Sequence, residues 1–447
     1  MTAIAGIQYP TARNHVKEML NRMRHRGHDW QYIIEKNGVI LGAAGNKLQN
    51  NPALIISNEV VAQEKVSKNH YAQAITRTNG IELTRDPLGI SPLYYGKTRE
   101  GALCFASEVK GLLTVTRDIH ELPPGHTLTG AKLRRKDWPT RAIPMPKEAA
   151  KIAKQLRARI EASIADRISN NDVGAWLSGG IDSTAIAAIA RPHVKELHTF
   201  TAGLDGSQDI HYASIAARHI GSNHHTRLVT TDEIISIIPE VIYHLESFDA
   251  LLIRSSLLNF LVAKMAADYV PAVFSGEGAD ELFAGYEYLH QVPAGDLQGE
   301  LSDILMRLHN TALQRVDRST AAHGLVAYLG LLDQDIVELA QRIPVEYKIR
   351  NGVEKWILRK AVEDLLPEDL LMRKKAKFWQ GGGVQESIAE YANKEISDRD
   401  FKCERKLKND ETLNSKEELL YYRIFRAHFG EFEDLAWMGR TKGAPVN

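Results

Sequence analysis

Ser178-Gly179-Gly180-Ile181-Asp182-Ser183 decides how this chain of 447 residues is read. The six residues follow an apolar run, Val173-Gly174-Ala175-Trp176-Leu177, and open an alanine-rich segment, Thr184-Ala185-Ile186-Ala187-Ala188-Ile189-Ala190. Strand, glycine turn and helix start together make a seat for phosphate. The first N–H groups of a helix lack intrahelical partners, and the helix dipole adds positive charge at the same end. Glycine lets the backbone approach an anion closely, and the hydroxyls of Ser178 and Ser183 add donors. Asp182 suits that setting only with a cation between it and the phosphate, which makes it a candidate Mg2+ ligand. A ligand-free strand–turn–helix connection is the plain alternative for any Gly-Gly turn; the full hexapeptide in this setting outweighs it.

A second stretch has the same grammar. Ser275-Gly276-Glu277-Gly278-Ala279-Asp280-Glu281 follows the apolar run 270–274. Ligands of open α/β sheets gather at the carboxyl ends of strands, so this turn is expected to face the first. Asp280 would then join Asp182 around Mg2+, and Glu277 is a candidate general base for an attacking amine. Taken alone, an acidic glycine turn is more often a solvated loop; the pairing makes it informative.

The rest of the chain divides into two grammars. Residues 1–130 carry short β-type runs (31–34, 39–43, 53–57, 103–106) split by Gly, Asn and Pro. Residues 146–170 have the spacing of an amphipathic helix, with Ile152, Leu156, Ile160 and Ile164 on one face. From Val173 onward, strand-like segments (197–203, 272–275) alternate with helical patterns, which implies an open parallel sheet followed after about residue 285 by a helical tail. The expected division is a domain over 1–133, a proline-containing basic linker over 134–146 and a second domain over 147–447.

A hydrophobic content of 44% allows two ordinary cores. Lys plus Arg and Asp plus Glu both number 56, so no basic excess advertises a nucleic-acid or membrane partner. Cys104 and Cys403, the only cysteines, are far apart; this suits the cytoplasm and excludes a disulfide scaffold or CxxC metal site. No signal-peptide pattern opens the sequence. The most apolar stretch, 234–270, is broken by Glu240, Glu246, Asp249, Arg254 and Lys264, and reads as buried helices rather than a membrane span.

The hexapeptide resembles the pyrophosphate loop of ATP pyrophosphatases, which cleave ATP to AMP and pyrophosphate. It is not the Gly-x4-Gly-Lys-Ser/Thr loop of γ-phosphate transfer. Gripping the β,γ end leaves the α-phosphorus open to a carboxylate, with an acyl-adenylate as product. The chain as a whole resembles the asparagine synthetase family, which includes β-lactam and carbapenam synthetases and lasso-peptide cyclases. The likeness runs through Arg24-His25-Arg26-Gly27 with Asp29, Arg85-Asp86-Pro87-Leu88-Gly89-Ile90 with Pro92-Leu93-Tyr94-Tyr95, Phe105-Ala106-Ser107-Glu108-Val109-Lys110 and Pro123-Pro124-Gly125-His126. It continues through the two glycine turns, Glu354-Lys355 with Leu358-Arg359, and Arg373 with Lys375.

That resemblance implies an α/β protein: a shortened Ntn-hydrolase-like αββα domain, then an ATP-pyrophosphatase (PP-loop, adenine-nucleotide α-hydrolase-like) domain with a helical tail. It further implies ATP and Mg2+ as cofactors. Leu177, Ser178, Gly179, Gly180, Asp182, Ser183, Gly203, Ser275 and Gly276 would bind ATP and pyrophosphate, and Asp182 and Asp280 would hold the metal. Glu277 matches the acidic residue of the synthetases, and Lys375 would steady pyrophosphate and the charge that develops during adenylation and amide formation.

Departures from the family carry the finer expectations. The family's glutamine-hydrolysing domain opens with a cysteine, where this chain has Thr2, whose hydroxyl is far harder to ionise. The Asn-Gly-Glu-Ile-Tyr-Asn and Arg-Leu-Ser-Ile elements are missing, and Asn79-Gly80 is too isolated to replace them. Glutamine hydrolysis is therefore expected to be lost, leaving the Arg24 and Arg85 motifs to packing or the domain interface. On the acceptor side, Phe248-Asp249-Ala250-Leu251-Leu252-Ile253-Arg254 has leucines where asparagine synthetases carry threonines. Arg254 is retained as a possible partner for a substrate carboxylate, and Leu251 is a second candidate substrate contact. Gly324-Leu325-Val326-Ala327-Tyr328-Leu329-Gly330-Leu331-Leu332-Asp333 lacks a carboxylate, an arginine and a proline of the family pattern, while Asp317-Arg318 before it remains. A repacked helix face is the bland account of these changes; a larger or less polar substrate than aspartate is the preferred one.

Weaker candidates complete the reading. His224-His225 sits on a strand edge, where neighbouring side chains point to opposite faces. His323 is either a proton shuttle or a packed histidine, and Gly381-Gly382-Gly383 suggests a loop closing near Lys375. The expected protein is an AMP-forming amide ligase of specialised metabolism, such as antibiotic biosynthesis. It would take a small carboxylic acid with ammonia or another amine, possible intramolecularly, with a homodimer left open. The alternatives are an ammonia-using asparagine synthetase and a catalytically silent nucleotide-binding paralogue.

Overall fold

The computed structural model describes residues 2–9, 11–46, 59–63, 70–78, 80–136, 145–168, 172–373 and 384–441. The run 53–57, the loop 381–383 and Lys375 lie outside the described residues.

The amino-terminal part is a sandwich of two antiparallel sheets. Thr2–Ile7 lies between Val39–Gly45 and Leu103–Ala106 in a six-stranded sheet flanked by Trp30–Lys36 on one side and by Tyr94–Lys97 and His120–Glu121 on the other. The second sheet runs Lys132–Arg135, His126–Thr129, Gly80–Arg85, Tyr71–Arg77, Glu59–Gln63. Period-two alternation explains the almost unbroken apolar opening. Ile4 points into the core between the sheets with Leu41, Leu83, Phe105 and Leu128. Ala3, Ala5 and Ile7 point the other way, onto Val16, Met19 and Leu20 of the helix Arg13–Arg22. Arg134 and Arg135, read from sequence as the start of the linker, instead complete a hairpin by pairing with Thr127 and His126.

Helix Ala149–Ile168 carries Ile152, Leu156, Ile160 and Ile164, all fully buried, on the face expected from their four-residue spacing. Beyond it, five parallel strands stand in the order Asn223–Val229, His198–Leu204, Val173–Trp176, Ala272–Phe274, Val326–Tyr328. The chain steps outward from Val173–Trp176 on one side, then returns to build the other. The strand order therefore reverses between Val173–Trp176 and Ala272–Phe274, where such sheets open a crevice. Both glycine turns follow those two strands.

The fifth strand corrects the sequence reading of residues 324–333. Val326–Tyr328 is an edge strand on Ala272–Phe274, and Leu329, Leu331 and Leu332 enter the core behind it. These apolar residues fill the sheet's flank from the edge strand and the single helical turn Gly330–Leu332 that follows it. The apolar stretch 234–270 supplies the crossover as three helices, Thr231–Ser236, Ile238–Leu245 and Ala250–Ala267. The last is apolar enough to span a membrane by composition, with mean hydropathy 1.4, yet 78% of it is buried inside the protein. It runs from the carboxyl edge of the sheet back to the amino end of Ala272–Phe274, a distance its 18 residues cover at 1.5 Å each. Its first turn, with Leu251 and Arg254, consequently lies toward the edge that bears the glycine turns.

Candidate active site

Leu177 is buried and donates its N–H to Phe200 O at 2.9 Å, so strand pairing continues up to the turn. Ser178 and Ser183 close the turn on itself: the Ser183 hydroxyl accepts from Ser178 N at 3.2 Å, lies 3.2 Å from Ser178 Oγ and donates to Gly180 O at 3.2 Å. Gly179 has φ +73, and a Cβ there would stand 2.5 Å from the backbone of Tyr212. Only glycine meets both conditions. Gly180 begins helix Ile181–Ala190 without a side-chain cap, leaving the first-turn N–H groups available to an anion.

Arg373 supports this loop from behind. Its guanidinium donates to Ser178 O at 2.7 Å and Asp209 Oδ1 at 2.6 Å, and lies 4.2 Å above the Tyr212 ring. Gly203 is the last residue but one of the neighbouring strand His198–Leu204, with Ser207 and Ile210 packed close to its α-carbon.

The second turn touches the first. A Cβ on Gly276 would stand 2.9 Å from Asp182 and 3.0 Å from Ser183 N, so a side chain there would push the turns apart. Ser275 continues the sheet by donating to Tyr328 O at 3.0 Å. Asp182 and Asp280 converge on one ammonium, Lys355 Nζ, at 2.5 and 2.7 Å. Burial would favour neutral Lys355, but the two carboxylates outweigh it and hold its pKa above the ordinary lysine value. Lys355 also has φ +54, an uncommon conformation for a residue with a side chain. Its cation screens two carboxylates that would otherwise repel each other at the crevice.

This donor set suits Mg2+. That ion takes one or two carboxylates and completes its shell with phosphate oxygens and water. Among the described residues no group of three or more His, Cys, Asp or Glu forms a closed cage, such as a metal bound by protein alone would need.

Glu277 accepts from Arg315 Nη2 at 2.5 Å. Glu281, one residue beyond Asp280, turns inward to Tyr286 OH at 2.5 Å. Burial, reinforced by the charge of Asp280, pushes its carboxyl up to about 7. Ser178, Gly180, Asp182, Ser183, Gly276, Glu277 and Asp280 are all half-buried, whereas Leu177, Gly179, Ser275 and Ala279 beside them are buried. The polar groups thus line an open edge.

Arg254 is a correction. Its guanidinium is paired through Nε (2.7 Å) and Nη2 with the carboxylate of Glu417, both side chains about 3% exposed. Glu417 belongs to helix Lys416–Phe429, and its charge already occupies the fork that sequence reasoning reserved for a substrate carboxylate. Asp249 is likewise engaged, accepting from Leu252 N, Thr441 N and Thr441 Oγ1 at 2.7–2.9 Å. Leu251 is half-buried on the first turn of its helix, and Leu252 is buried. Lys375 lies outside the described residues.

The remaining candidates fall into place as packing. His224 meets Thr199 at 3.0 Å while His225 meets His198 at 2.9 Å on the other face. His323 packs edge-on against Phe260 at 4.4 Å, and burial lowers its pKa to about 4. Sequence reasoning gave no role to Lys355, although the Glu354-Lys355 motif was visible. It missed Arg315 and Glu417 altogether, since nothing local distinguishes either from an ordinary surface-helix charge.

The carboxyl-terminal half has the α/β fold of the ATP-pyrophosphatase type that the hexapeptide implied. The asparagine synthase family profile matches residues 155–302 and 293–443, and a glutamine amidotransferase domain profile matches residues 69–122. The chain belongs to the asparagine synthase family, enzymes that form C–N bonds. It is 30% identical to the glutamine-hydrolysing asparagine synthetase 2 of Arabidopsis thaliana, over 93% of this chain and 85% of that protein. It is 35% identical to asparagine synthetase B of Escherichia coli, over 77% of this chain and 67% of that protein. Among solved structures, an NMN synthetase from Francisella tularensis is similar over 65% of this chain and 98% of its own at 13% identity, with a TM-score of 0.30.

Proposed function

We propose that the protein is an ATP-dependent, AMP-forming amide ligase that uses ammonia or another amine and does not hydrolyse glutamine. The observation that carries this reading is the contact between the two glycine turns, which brings Asp182 and Asp280 onto Lys355 at the switch point of the sheet. The triphosphate would lie on the start of helix Ile181–Ala190, with Asp182 and Asp280 as the protein's ligands to Mg2+. Bound there, Mg2+ would neutralise charge on the departing pyrophosphate.

In the first step a substrate carboxylate oxygen attacks the α-phosphorus. The bond from that phosphorus to the bridging oxygen breaks, and pyrophosphate leaves with the electron pair. In the second step the amine nitrogen attacks the acyl carbon, AMP departs with the C–O electron pair, and Glu277 takes the proton released from nitrogen. Lys355 keeps the carboxylates together, and Arg373 holds the loop against Tyr212. Lys375 is proposed, on family resemblance alone, to steady pyrophosphate.

Two observations support the finer reading. Thr2 stands where the family has cysteine, is 4% exposed and is paired in a strand. The Arg254–Glu417 pair argues for an acid without a second carboxylate at that point, since a dicarboxylate would have to displace Glu417. Specialised metabolism fits such an acid better than asparagine supply does. The test is substrate-dependent ATP–pyrophosphate exchange with a panel of monocarboxylic and dicarboxylic acids. Exchange with an acid other than aspartate, abolished in Asp182→Asn, is expected. Asparagine formed efficiently from aspartate, ATP and ammonium would instead make it an ammonia-using asparagine synthetase.

A further inference from the structure

One helix, Ala312–Ala321, touches both the candidate base and the amino-terminal domain. Arg315 holds Glu277 at 2.5 Å. Two and three residues on, Asp317 and Arg318 enter a buried cluster of charge. Arg26 donates through both terminal nitrogens to Asp317 at 2.7 and 2.8 Å, and to Glu108 at 2.8 Å. Arg318 reaches Glu108 at 2.6 Å and Glu246 at 3.1 Å. Lys110 closes the cluster on Glu108 at 2.6 Å and Glu246 at 3.0 Å. Arg26, Lys110 and Arg318 thus balance Glu108, Glu246 and Asp317. Three of the six, Arg26, Glu108 and Lys110, come from the amino-terminal sandwich.

Cohesion alone does not explain this arrangement. Well-packed apolar residues would join two domains at least as strongly as buried ion pairs, which must first lose their water. What a bidentate arginine adds is geometry: its planar fork accepts one orientation of its partner. Here the fork is applied to Asp317, less than one helical turn from Arg315. Sliding or rotating this helix would carry the Arg315 guanidinium off Glu277.

We infer that the amino-terminal domain is retained as a positioning element, locking helix Ala312–Ala321 in register so that Arg315 aims Glu277 at the incoming amine. This rests on the reading of Glu277 as base for amide formation. Arg26, Asp317 and Arg315 are positioning residues; none is argued to touch substrate. A domain that has lost its own chemistry thereby keeps a role in the second half-reaction.

The test separates the two half-reactions in the full chain. Arg315→Lys, Arg315→Met, Asp317→Asn and the milder Arg26→Lys are compared with the unaltered protein. The acid used is the one from the panel above that supports the fastest exchange. ATP–pyrophosphate exchange reads adenylation, and amide formation from ammonium reads the second step; thermal melting confirms that each variant is folded. Exchange is expected to stay within about twofold, while kcat for amide formation falls roughly tenfold to hundredfold with KM for the acid unchanged. Arg315→Lys should lie between Arg315→Met and the unaltered chain. Folded variants in which both steps fall together, or neither falls, would overturn the positioning role and leave the ligase reading intact. Absence of exchange with every acid in the unaltered chain would overturn both.

Discussion

The two halves of the molecule keep family motifs in opposite ways. In the amino-terminal sandwich the motif charges Arg26, Arg85 and Asp86 are turned inward and consumed, while Arg24 and Asp29 stay exposed. Arg85, about 2% exposed, donates to Glu121, Ser91 O, Leu122 O and Gly89 O at 2.6–2.9 Å. Asp86 accepts from the backbone of Leu88, Ile90 and Ser91 at 2.9–3.1 Å. Arg26 is clamped between Glu108 and Asp317. In the carboxyl-terminal half the polar residues of the two glycine turns stop at an open edge, half-buried, with Asp182 and Asp280 gathered on one buried cation, Lys355. A family motif can therefore serve as scaffold or as chemistry, and for Arg26, Arg85 and Asp86 against Asp182 and Asp280 the direction of the polar atoms marks the difference.

The largest expected effect falls on the open edge. Asp182→Asn removes one of two proposed metal ligands and half of the charge facing Lys355; exchange activity is expected to fall by roughly a thousandfold or more, as for loss of a strong electrostatic contact. Exchange surviving this change would show that the crevice is not where ATP is activated. The opposite behaviour is expected in the sandwich. Arg85→Met strands Glu121, whose carboxyl is held down to about 2 because Arg85 and His309 outweigh its burial. The loss should be about 3–5 kcal/mol in urea unfolding, the usual cost of breaking a buried pair. Activity per folded molecule should change little. A variant of normal stability that had lost exchange would erase the contrast between the halves.

Much of this contrast was legible in the sequence, and the missing part has a physical cause. The hexapeptide at 178–183, the turn at 275–281 and the alternation from residue 173 onward are local patterns, so they led to the sheet and to its loaded edge. The threonine at position 2 and the missing glutamine-binding elements carry the expectation that glutamine hydrolysis is lost, which Thr2→Ala tests. Arg254 failed because its partner, Glu417, is 163 residues away. A single sequence does not reveal that a charge will be neutralised by a distant helix. Lys355 failed for a related reason: its role comes from three segments meeting, at 182, 280 and 355. The bland account of residues 324–333 as a helix face did not anticipate the strand at 326–328, because a three-residue edge strand is too short to declare its period.

A smaller effect probes the domain interface through pH. His244 lies against the charge cluster, and its pKa is lowered from 6.5 to about 2, chiefly by burial and then by Lys110. Because the folded value is the lower one, its neutral form stabilises the fold fully above pH 6.5, and that contribution declines as pH falls toward the folded value. Between pH 7.5 and 5 this one group should account for about 2 kcal/mol of lost stability. His244→Phe should flatten that part of the stability–pH curve in chemical unfolding. An unchanged slope would mean that acid attacks the protein elsewhere first, and that the interface is not the acid-sensitive seam between the halves.

The smallest expected effect is the sharpest test of the amino-terminal half. Thr2 is held in the central strand of its sheet, opposite Gly45, and the Trp30 ring lies so close to Gly45 that a Cβ there would be 2.2 Å from it. Thr2→Ala removes the hydroxyl that would have to attack glutamine, and little else. Amide formation from ammonium should be unaltered, and glutamine should support no more product in the parent than in the variant. Glutamine-dependent activity that vanished with this one hydroxyl would restore a working nucleophile to the sandwich. The inward turn of Arg26, Arg85 and Asp86 would then have to coexist with catalysis, and the direction of polar atoms would no longer separate scaffold from chemistry.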